Sequence, residues 1–116
     1  MAQADYKVEK LGDLTIVAVA INIVYHEANE ELVKFFEKLV GEGSKKIVLD
    51  LAGTIYVSSL ILASLVYVHK RVSDAGGALI LCNIKEKVQE VLTMTNLDKV
   101  FEITKTRQDA IAKFKG

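Results

Sequence analysis

The chain has 116 residues, the length of one ordinary domain, and 51% of them are hydrophobic, which is typical of a globular protein. Its 15 basic and 15 acidic residues leave a formal charge of zero, which argues against non-specific binding to nucleic acid. The single cysteine, Cys82, excludes an internal disulfide, and the two histidines, His26 and His69, disfavour an imidazole metal site, so we expect no cofactor. The polar start of the chain does not resemble a secretory signal, and the longest apolar stretch, Val57 to Val68, is too short to span a membrane. We therefore expect a cytoplasmic, single-domain protein (residues 1–116) that binds neither membrane nor nucleic acid.

The first third of the chain predicts a hairpin followed by a helix. Tyr6 to Leu11 is typical of an edge strand, Gly12 and Asp13 of a turn, and Leu14 to Val24 of a strand buried on both faces. Because the turn between them is short, these two strands should pair antiparallel. From His26 to Val40 the apolar residues recur every three or four positions, which predicts an amphipathic helix.

The rest of the chain alternates between short apolar runs and helical periodicity. The runs predict strands at Lys46–Leu51, Ala78–Cys82 and Val100–Ile103. The periodic segments predict three helices: one from Ser58 or Ser59 to about Ser73, one from Lys85 to about Asn96, and one from Thr106 or Arg107 with Ala110, Ile111 and Phe114 on one face. Helical crossovers make successive strands parallel. The predicted fold is therefore α/β, with a single mixed, mostly parallel sheet, an antiparallel N-terminal edge strand and helices packed on the sheet.

Two serines stand where the second helix is expected to begin. Serine is a favoured N-cap, and a helix start presents free N–H groups and a positive dipole end that stabilise a phosphoryl group. Three large apolar residues, Leu60 to Leu62, follow Ser58 and Ser59 directly. The residues alone favour an N-cap with core positions behind it, but they also permit a modified serine beside an apolar patch that binds a partner.

Signals for enzymatic chemistry are weak in this sequence. The glycine pairs follow helices rather than strands, so they predict helix ends and not phosphate loops. Ser58 and Ser59 lack the glycines of a nucleophile elbow, and His69, beside Lys70, is expected at a solvated helix end. Cys82 is expected to be a buried structural thiol. Asp50 ends a strand, where it either bonds to the backbone of the next loop or takes a direct functional role.

The chain resembles the anti-sigma factor antagonists, the STAS domain family, over nearly its whole length. Ile47–Gly53 is similar to the family's Val-Leu-Asp-Leu-Ser strand, and Tyr56–Ala63 occupies the family's serine-containing turn into a long helix. Gly76–Asn83 resembles the next strand of the family, and Val91–Ile103 resembles its leucine, threonine, leucine-aspartate and phenylalanine stretch. The order and spacing of these pieces carry the resemblance.

The resemblance implies a mixed sheet with helices on one side and a non-enzymatic binding module that regulates transcription by partner switching. The unphosphorylated form would bind an anti-sigma factor, a serine kinase of the histidine-kinase-like ATPase group, and phosphorylation would block this binding. By register Ser59 takes the place of the phosphorylated serine, and Ser58, which replaces the family's aspartate, is the alternative acceptor. The predicted partner-binding residues are Tyr25, His26, Ser58, Ser59, Leu60 and Ile61.

Two other functions remain open at this stage. The same fold would serve as an unphosphorylated scaffold or oligomer subunit of a signalling complex, and a weak homodimer is compatible with either role. A small-ligand-binding domain, with a site lined by Asp50, Tyr25 and Ser58, ranks last because the sequence offers no convergent acid–base pair.

Overall fold

A five-stranded sheet runs through the centre of the computed structural model, which describes residues 4–21 and 26–115. Its strands are β1 (Ala4–Leu11), β2 (Leu14–Ile21), β3 (Lys46–Asp50), β4 (Ala78–Cys82) and β5 (Glu102–Ile103). They lie side by side in chain order, with β1 antiparallel to β2 and each later neighbour parallel. The predicted mixed, mostly parallel sheet with an antiparallel edge strand is therefore confirmed.

Helices connect the parallel strands, as the alternation of periodicity predicts. The structure contains α1 (His26–Gly41), α2 (Ser59–Asp74), α3 (Glu86–Met94) and α4 (Arg107–Lys115), with a short 3-10 helix at Leu97–Lys99. The predicted helix 85–96 is α3, which ends at Met94, and the 3-10 helix follows the predicted range. Strand β5 is shorter than the predicted strand 100–103. Residues 22–24, the end of the predicted second strand, lie outside the described residues.

The larger core lies between one face of the sheet and helices α1, α2 and α3. Alternate residues of β2, β3 and β4 point into it, among them Val17, Leu49 and Leu81. The helices contribute residues three or four apart, such as Leu32 and Phe36 on α1, which are almost completely buried. The helical and strand periodicities thus meet in one continuous apolar layer.

The opposite face of the sheet is covered by α4. Ala110 packs there against Ile16, Val48 and Ile80, and the predicted face of α4 completes this smaller core. Since β2, β3 and β4 are apolar on both faces, the sheet needs cover on both. The expectation that all helices lie on one side of the sheet is therefore wrong, because α4 lies on the other side.

Cys82 belongs to this smaller core and is completely buried, as predicted. Burial, together with the nearby charge of Asp50, raises the pKa of its thiol to about 12. We expect the native protein to react with a thiol reagent such as Ellman's reagent only after denaturant is added. An unfolded thiol ionises near pH ~8.5, so the contribution of Cys82 to stability is complete below that pH and declines above it. Urea unfolding at rising alkaline pH measures this decline, and a Cys82→Ala variant, which should not show it, is the control. If the folded protein reacted with the thiol reagent as fast as the unfolded protein, Cys82 would not be buried as described.

Candidate functional site

The loop between β3 and α2 is fastened to the sheet before it reaches the two serines. The Thr54 hydroxyl donates a hydrogen bond of 2.8 Å to the backbone carbonyl of Val19 on β2. Val57 is buried in the larger core, so the chain is anchored directly before α2 begins. The intervening residues, Ile55 and Tyr56, are left at the surface.

Ser58 and Ser59 occupy different positions at the start of α2. Ser58 is the N-cap: it is half-buried, and its Oγ accepts a hydrogen bond of 3.2 Å from the backbone N–H of Ile61. This arrangement confirms the predicted capping role, which satisfies one of the helix's free donors. Ser59 is the first residue of the helix and is exposed. The cap thus engages the hydroxyl of Ser58, while Ser59 lies at the surface.

Exposed apolar side chains lie close to Ser59 in the sequence. Ile55, Tyr56 and Leu60 are 64%, 58% and 41% exposed, respectively. Together with Ser59 they form a surface that we call the α2-start surface. Large apolar residues grouped in this way on a loop and a helix start are typical of a site that another macromolecule covers.

The predicted partner-binding residues do not all reach this surface. Leu60 is exposed as predicted, but Ile61 has no exposed area and belongs to the larger core, so the prediction that it contacts a partner is wrong. The helical rotation that turns Leu60 outward turns Ile61 inward. Tyr25 lies outside the described residues; His26 begins α1, and its side chain is likewise outside them.

The start of α2 carries no charge of its own. Its first turn contains no acidic residue, and Asp50 is the only aspartate, glutamate, lysine or arginine between Lys46 and Lys70. The positive end of the helix dipole is therefore not balanced by a side chain of the helix, which favours an anionic group at this position. A phosphoryl group on Ser59 would bring ~1.5–2 negative charges to an otherwise neutral, apolar surface.

Asp50 is a buried structural carboxylate. Its Oδ1 accepts a hydrogen bond of 2.9 Å from the backbone N–H of Ala52, which confirms the first of its two predicted roles. Its Oδ2 accepts from Asn83 Nδ2 at 3.1 Å and forms an ion pair with Arg107, whose Nη2 is 3.0 Å away. Because both oxygens are occupied within the chain and the side chain is 7% exposed, Asp50 is not presented to a ligand. The bonds from Asn83 and Arg107 are contacts that local sequence reasoning missed.

His69 differs from its predicted position at a solvated helix end. Helix α2 continues to Asp74, and the His69 ring packs edge-on against Phe101 with 5.6 Å between ring centroids. Its Nδ1 is buried and has no hydrogen-bond partner among the described residues. The side chain therefore contributes to packing between α2 and the segment before β5.

Metal-binding clusters and membrane-spanning helices are both absent from the described part of the chain. Residues 4–21 and 26–115 contain no group of three or more histidine, cysteine or acidic side chains arranged to hold a metal ion. Within the same residues, every helix is too short or too polar to cross a bilayer.

The comparison with protein families covers most of the chain. A family model described as the STAS domain matches residues 5–110. The chain belongs to the STAS domain family. This STAS domain carries its two serines at the β3–α2 junction, where the family resemblance predicts the regulated serine.

Relatives of this STAS domain carry the name anti-sigma factor antagonist. BtrV of Bordetella bronchiseptica, provisionally named an anti-sigma factor antagonist, is 30% identical over 103 residues, which is 89% of each chain. The crystal structure of TM1081 from Thermotoga maritima, provisionally named in the same way, is 27% identical with a TM-score of 0.84, covering 96% of this chain and 95% of that one.

Two more distant structures share the fold. Phosphorylated SpoIIAA, a Bacillus cell fate determinant, is 14% identical with a TM-score of 0.71, covering 95% of this chain and 99% of that one. A chain of the stressosome, described as a signal integration and transduction hub, is 22% identical with a TM-score of 0.72, covering 94% of this chain and 96% of that one. At these identities the likeness establishes the architecture alone.

Proposed function

We propose that this STAS domain is a protein-binding module of the anti-sigma factor antagonist type, and that phosphorylation of Ser59 controls its binding. The observation that carries the proposal is the exposure of Ser59 at the first position of α2, among the exposed apolar side chains of Ile55, Tyr56 and Leu60. The names of the relatives support the class of function, and the solved phosphorylated form of SpoIIAA supports the type of control.

The partner we propose is an anti-sigma factor that is also a serine kinase of the histidine-kinase-like ATPase group. In the unphosphorylated protein this partner packs on the α2-start surface and removes its apolar side chains from water, which favours binding. When this protein binds the anti-sigma factor, the anti-sigma factor releases its sigma factor for transcription. A phosphoryl group on Ser59 places charge inside this interface, where losing its hydration and meeting apolar atoms costs a few kcal/mol. The same covalent change therefore turns the surface from attractive to repulsive.

Mapping the phosphate on the chain tests the choice of acceptor. The tagged protein is recovered from its native cell, its intact mass is measured, and the modified residue is located in its peptides. We expect one phosphoryl group on Ser59, its loss in Ser59→Ala, and its retention in Ser73→Ala, which alters an exposed serine at the other end of the same helix. Phosphate on Ser58 would move the proposed switch to the alternative acceptor. A wild-type chain that stays unmodified while it binds its partner would favour the scaffold function. The similar fold of a stressosome chain is compatible with that alternative.

A permanent charge at the acceptor is expected to imitate the modified state. Ser59→Asp should weaken binding of the recovered partner about 100-fold, because a desolvated charge costs a few kcal/mol in an apolar interface. Calorimetric titration measures the affinity, and the thermal midpoint should stay within a few degrees because Ser59 is exposed. Ser73→Asp is the matched control, since it adds the same charge at the opposite end of α2. Equal affinities for wild type and Ser59→Asp would place Ser59 outside the interface.

A further inference from the structure

Strand β1 is an open edge of the sheet. It spans eight residues, Ala4–Leu11, and pairs with β2 on one side. Among residues 4–21 and 26–115 no strand pairs with its other side. The strand is held firmly, because the ring of Tyr6 stacks on that of Phe35 with 4.3 Å between centroids. A long, ordered edge strand with free backbone groups is a template for pairing with another chain.

The turn after β1 determines which backbone groups point outward. Gly12, with a φ of +64°, and Asp13 form a two-residue turn between the paired residues Leu11 and Leu14. In a turn of this kind the two flanking residues are a hydrogen-bonded pair, and bonding alternates along the ladder from there. Lys7, Glu9 and Leu11 therefore direct their N–H and C=O groups to β2. The residues between them, Tyr6, Val8 and Lys10, direct theirs away from the sheet.

The charges on β1 are arranged in a self-complementary way. Lys7 and Glu9 flank Val8 and share one face of the sheet, on which Glu9 forms an ion pair with Arg107 of α4 at 3.0 Å. Lys7 is exposed and forms no ion pair among the described residues. Val8 between them is 43% exposed. An antiparallel copy of this strand, centred on the same Val8, brings each Lys7 opposite the other copy's Glu9.

We propose that β1 pairs antiparallel with β1 of a second copy of this chain, in the register centred on Val8. The two Val8 residues exchange both backbone hydrogen bonds. On either side of them, Tyr6 of one copy forms a hydrogen-bonded pair with Lys10 of the other. The result is a continuous ten-stranded sheet with two-fold symmetry, an isologous contact that closes on itself.

Neighbouring registers oppose like charges. A register centred on Lys7 places the two Lys7 side chains opposite each other, and one centred on Glu9 does the same for the two Glu9 side chains. Like charges directly opposed across two strands are destabilising, whereas opposite charges contribute favourably. The register centred on Tyr6 also avoids such clashes, but it pairs only Ala4–Val8, five residues of β1, whereas the register centred on Val8 pairs the seven residues Asp5–Leu11. The charge pattern therefore disfavours the two neighbouring registers, and the longer pairing favours the register centred on Val8 over the one centred on Tyr6.

The second copy would pair with an element other than the α2-start surface. Ser59 follows β3, the middle strand of the sheet, whereas β1 is at its edge. Pairing through β1 and binding of a protein to the α2-start surface therefore use different elements of the fold. The proposed dimer stands independently of the proposed phosphorylation, because it depends on another element.

Sedimentation velocity of the full chain at concentrations from ~10 μM to ~1 mM tests the pairing. We expect the wild type to sediment as a reversible monomer–dimer mixture. Val8→Pro removes an outward N–H that the β1–β2 ladder does not use, so the fold should survive, as prolines do on edge strands. Its dimer dissociation constant should rise about tenfold or more, because it loses two backbone bonds and gains a steric clash. Val8→Thr, which keeps the N–H, should dimerise as the wild type does.

Charge variants test the register and do not depend on the fate of the proline variant. Lys7→Glu alone and Glu9→Lys alone should each weaken the dimer about tenfold, since each opposes like charges twice across the symmetric interface. An equimolar mixture of the two variants should dimerise again, because the carboxylate introduced by Lys7→Glu then faces the ammonium introduced by Glu9→Lys. Wild type that remains monomeric at ~1 mM would overturn the proposal. It would equally be overturned by a dimer that Val8→Pro leaves intact, or by a mixture that does not recover.

Discussion

Replacing Gly77 by alanine is expected to lower the free energy of unfolding by about 3 kcal/mol, the upper part of the range for overpacked sites. A Cβ at this residue would lie 2.3 Å from the backbone oxygen of Lys45 and 2.8 Å from its Cα. The approach is close because the N–H of Ala78, the next residue, donates a hydrogen bond of 2.7 Å to the same oxygen. This bond aligns the starts of β3 and β4, so relief of the clash would separate the two central strands. Urea unfolding monitored by circular dichroism measures the change.

Gly41→Ala is the matched control for this substitution. Gly41 is the last residue of α1, and a Cβ there would have no atom within 4 Å. Its stability should stay equal to that of the wild type or rise by up to about 1 kcal/mol, because alanine favours the helix and restricts the unfolded chain. If Gly77→Ala were as stable as Gly41→Ala, the strands β3 and β4 could shift enough at their starts to accept the added Cβ. The close packing of Gly77 against Lys45 would then not contribute to stability.

Gly76 and Gly77 show how far sequence reasoning reaches. Both were interpreted as a helix end, and Gly76 confirms this: it has a φ of +85° and directly follows the C-cap of α2. Gly77 also donates to the Val72 carbonyl at 2.9 Å, which completes the same helix end. Its close approach to Lys45, however, joins positions far apart in the sequence. A turn signal is local and readable, whereas a tertiary contact of this kind depends on how two strands are aligned.

The fold follows from patterns that one stretch of chain contains by itself. Apolar runs and the three-to-four-residue period located the strands and helices, and the two-residue turn at Gly12 predicted the antiparallel hairpin. The start of β5 was misplaced because Val100 caps the 3-10 helix at Leu97–Lys99 and does not begin the strand. The second sheet face was missed as a place for α4, although the apolar residues of β2–β4 on both faces required it.

The candidate site was predictable only in part, because local patterns do not specify how elements pack against each other. Helix-start chemistry located the N-cap at Ser58 or Ser59, and the structure assigns it to Ser58. The exposure of Leu60 and the burial of Ile61 depend on the angle at which α2 meets the sheet, which the nearly continuous apolar sequence from Leu60 to Leu62 does not specify. The sequence therefore predicted the hydroxyl groups better than the apolar surface around them.

Arg107 is the residue that carries the second large expected effect. It is the first residue of α4, where the positive end of the helix dipole disfavours a cation. Its guanidinium nevertheless contacts Asp50 from Nε at 3.1 Å and from Nη2 at 3.0 Å, and it also reaches Glu9. The Arg107 guanidinium is thus held at an unfavourable helix end by two carboxylates that are distant in the sequence.

Arg107→Met is expected to lower the free energy of unfolding by about 3 kcal/mol, because removing one partner of a buried ion pair leaves the other charge uncompensated. Asp50 would keep only the hydrogen bonds from Ala52 and Asn83 for a carboxylate that is 7% exposed. Urea unfolding at neutral pH measures the loss. Adding Asp50→Asn to Arg107→Met should recover part of it, since the amide carries no charge that needs a counter-ion.

Lys113→Met provides the matched comparison on the same helix. Lys113 forms an ion pair with Glu102, but the two side chains are 52% and 47% exposed. Water solvates both partners in the variant, so the change should stay within about 0.5 kcal/mol. The contrast between these two pairs isolates burial as the cause, because both join a basic residue of α4 to a carboxylate on the sheet. Equal losses for Arg107→Met and Lys113→Met would mean that Asp50 gains enough water in the variant to need no counter-charge, and α4 would then be held to the sheet by its apolar face alone.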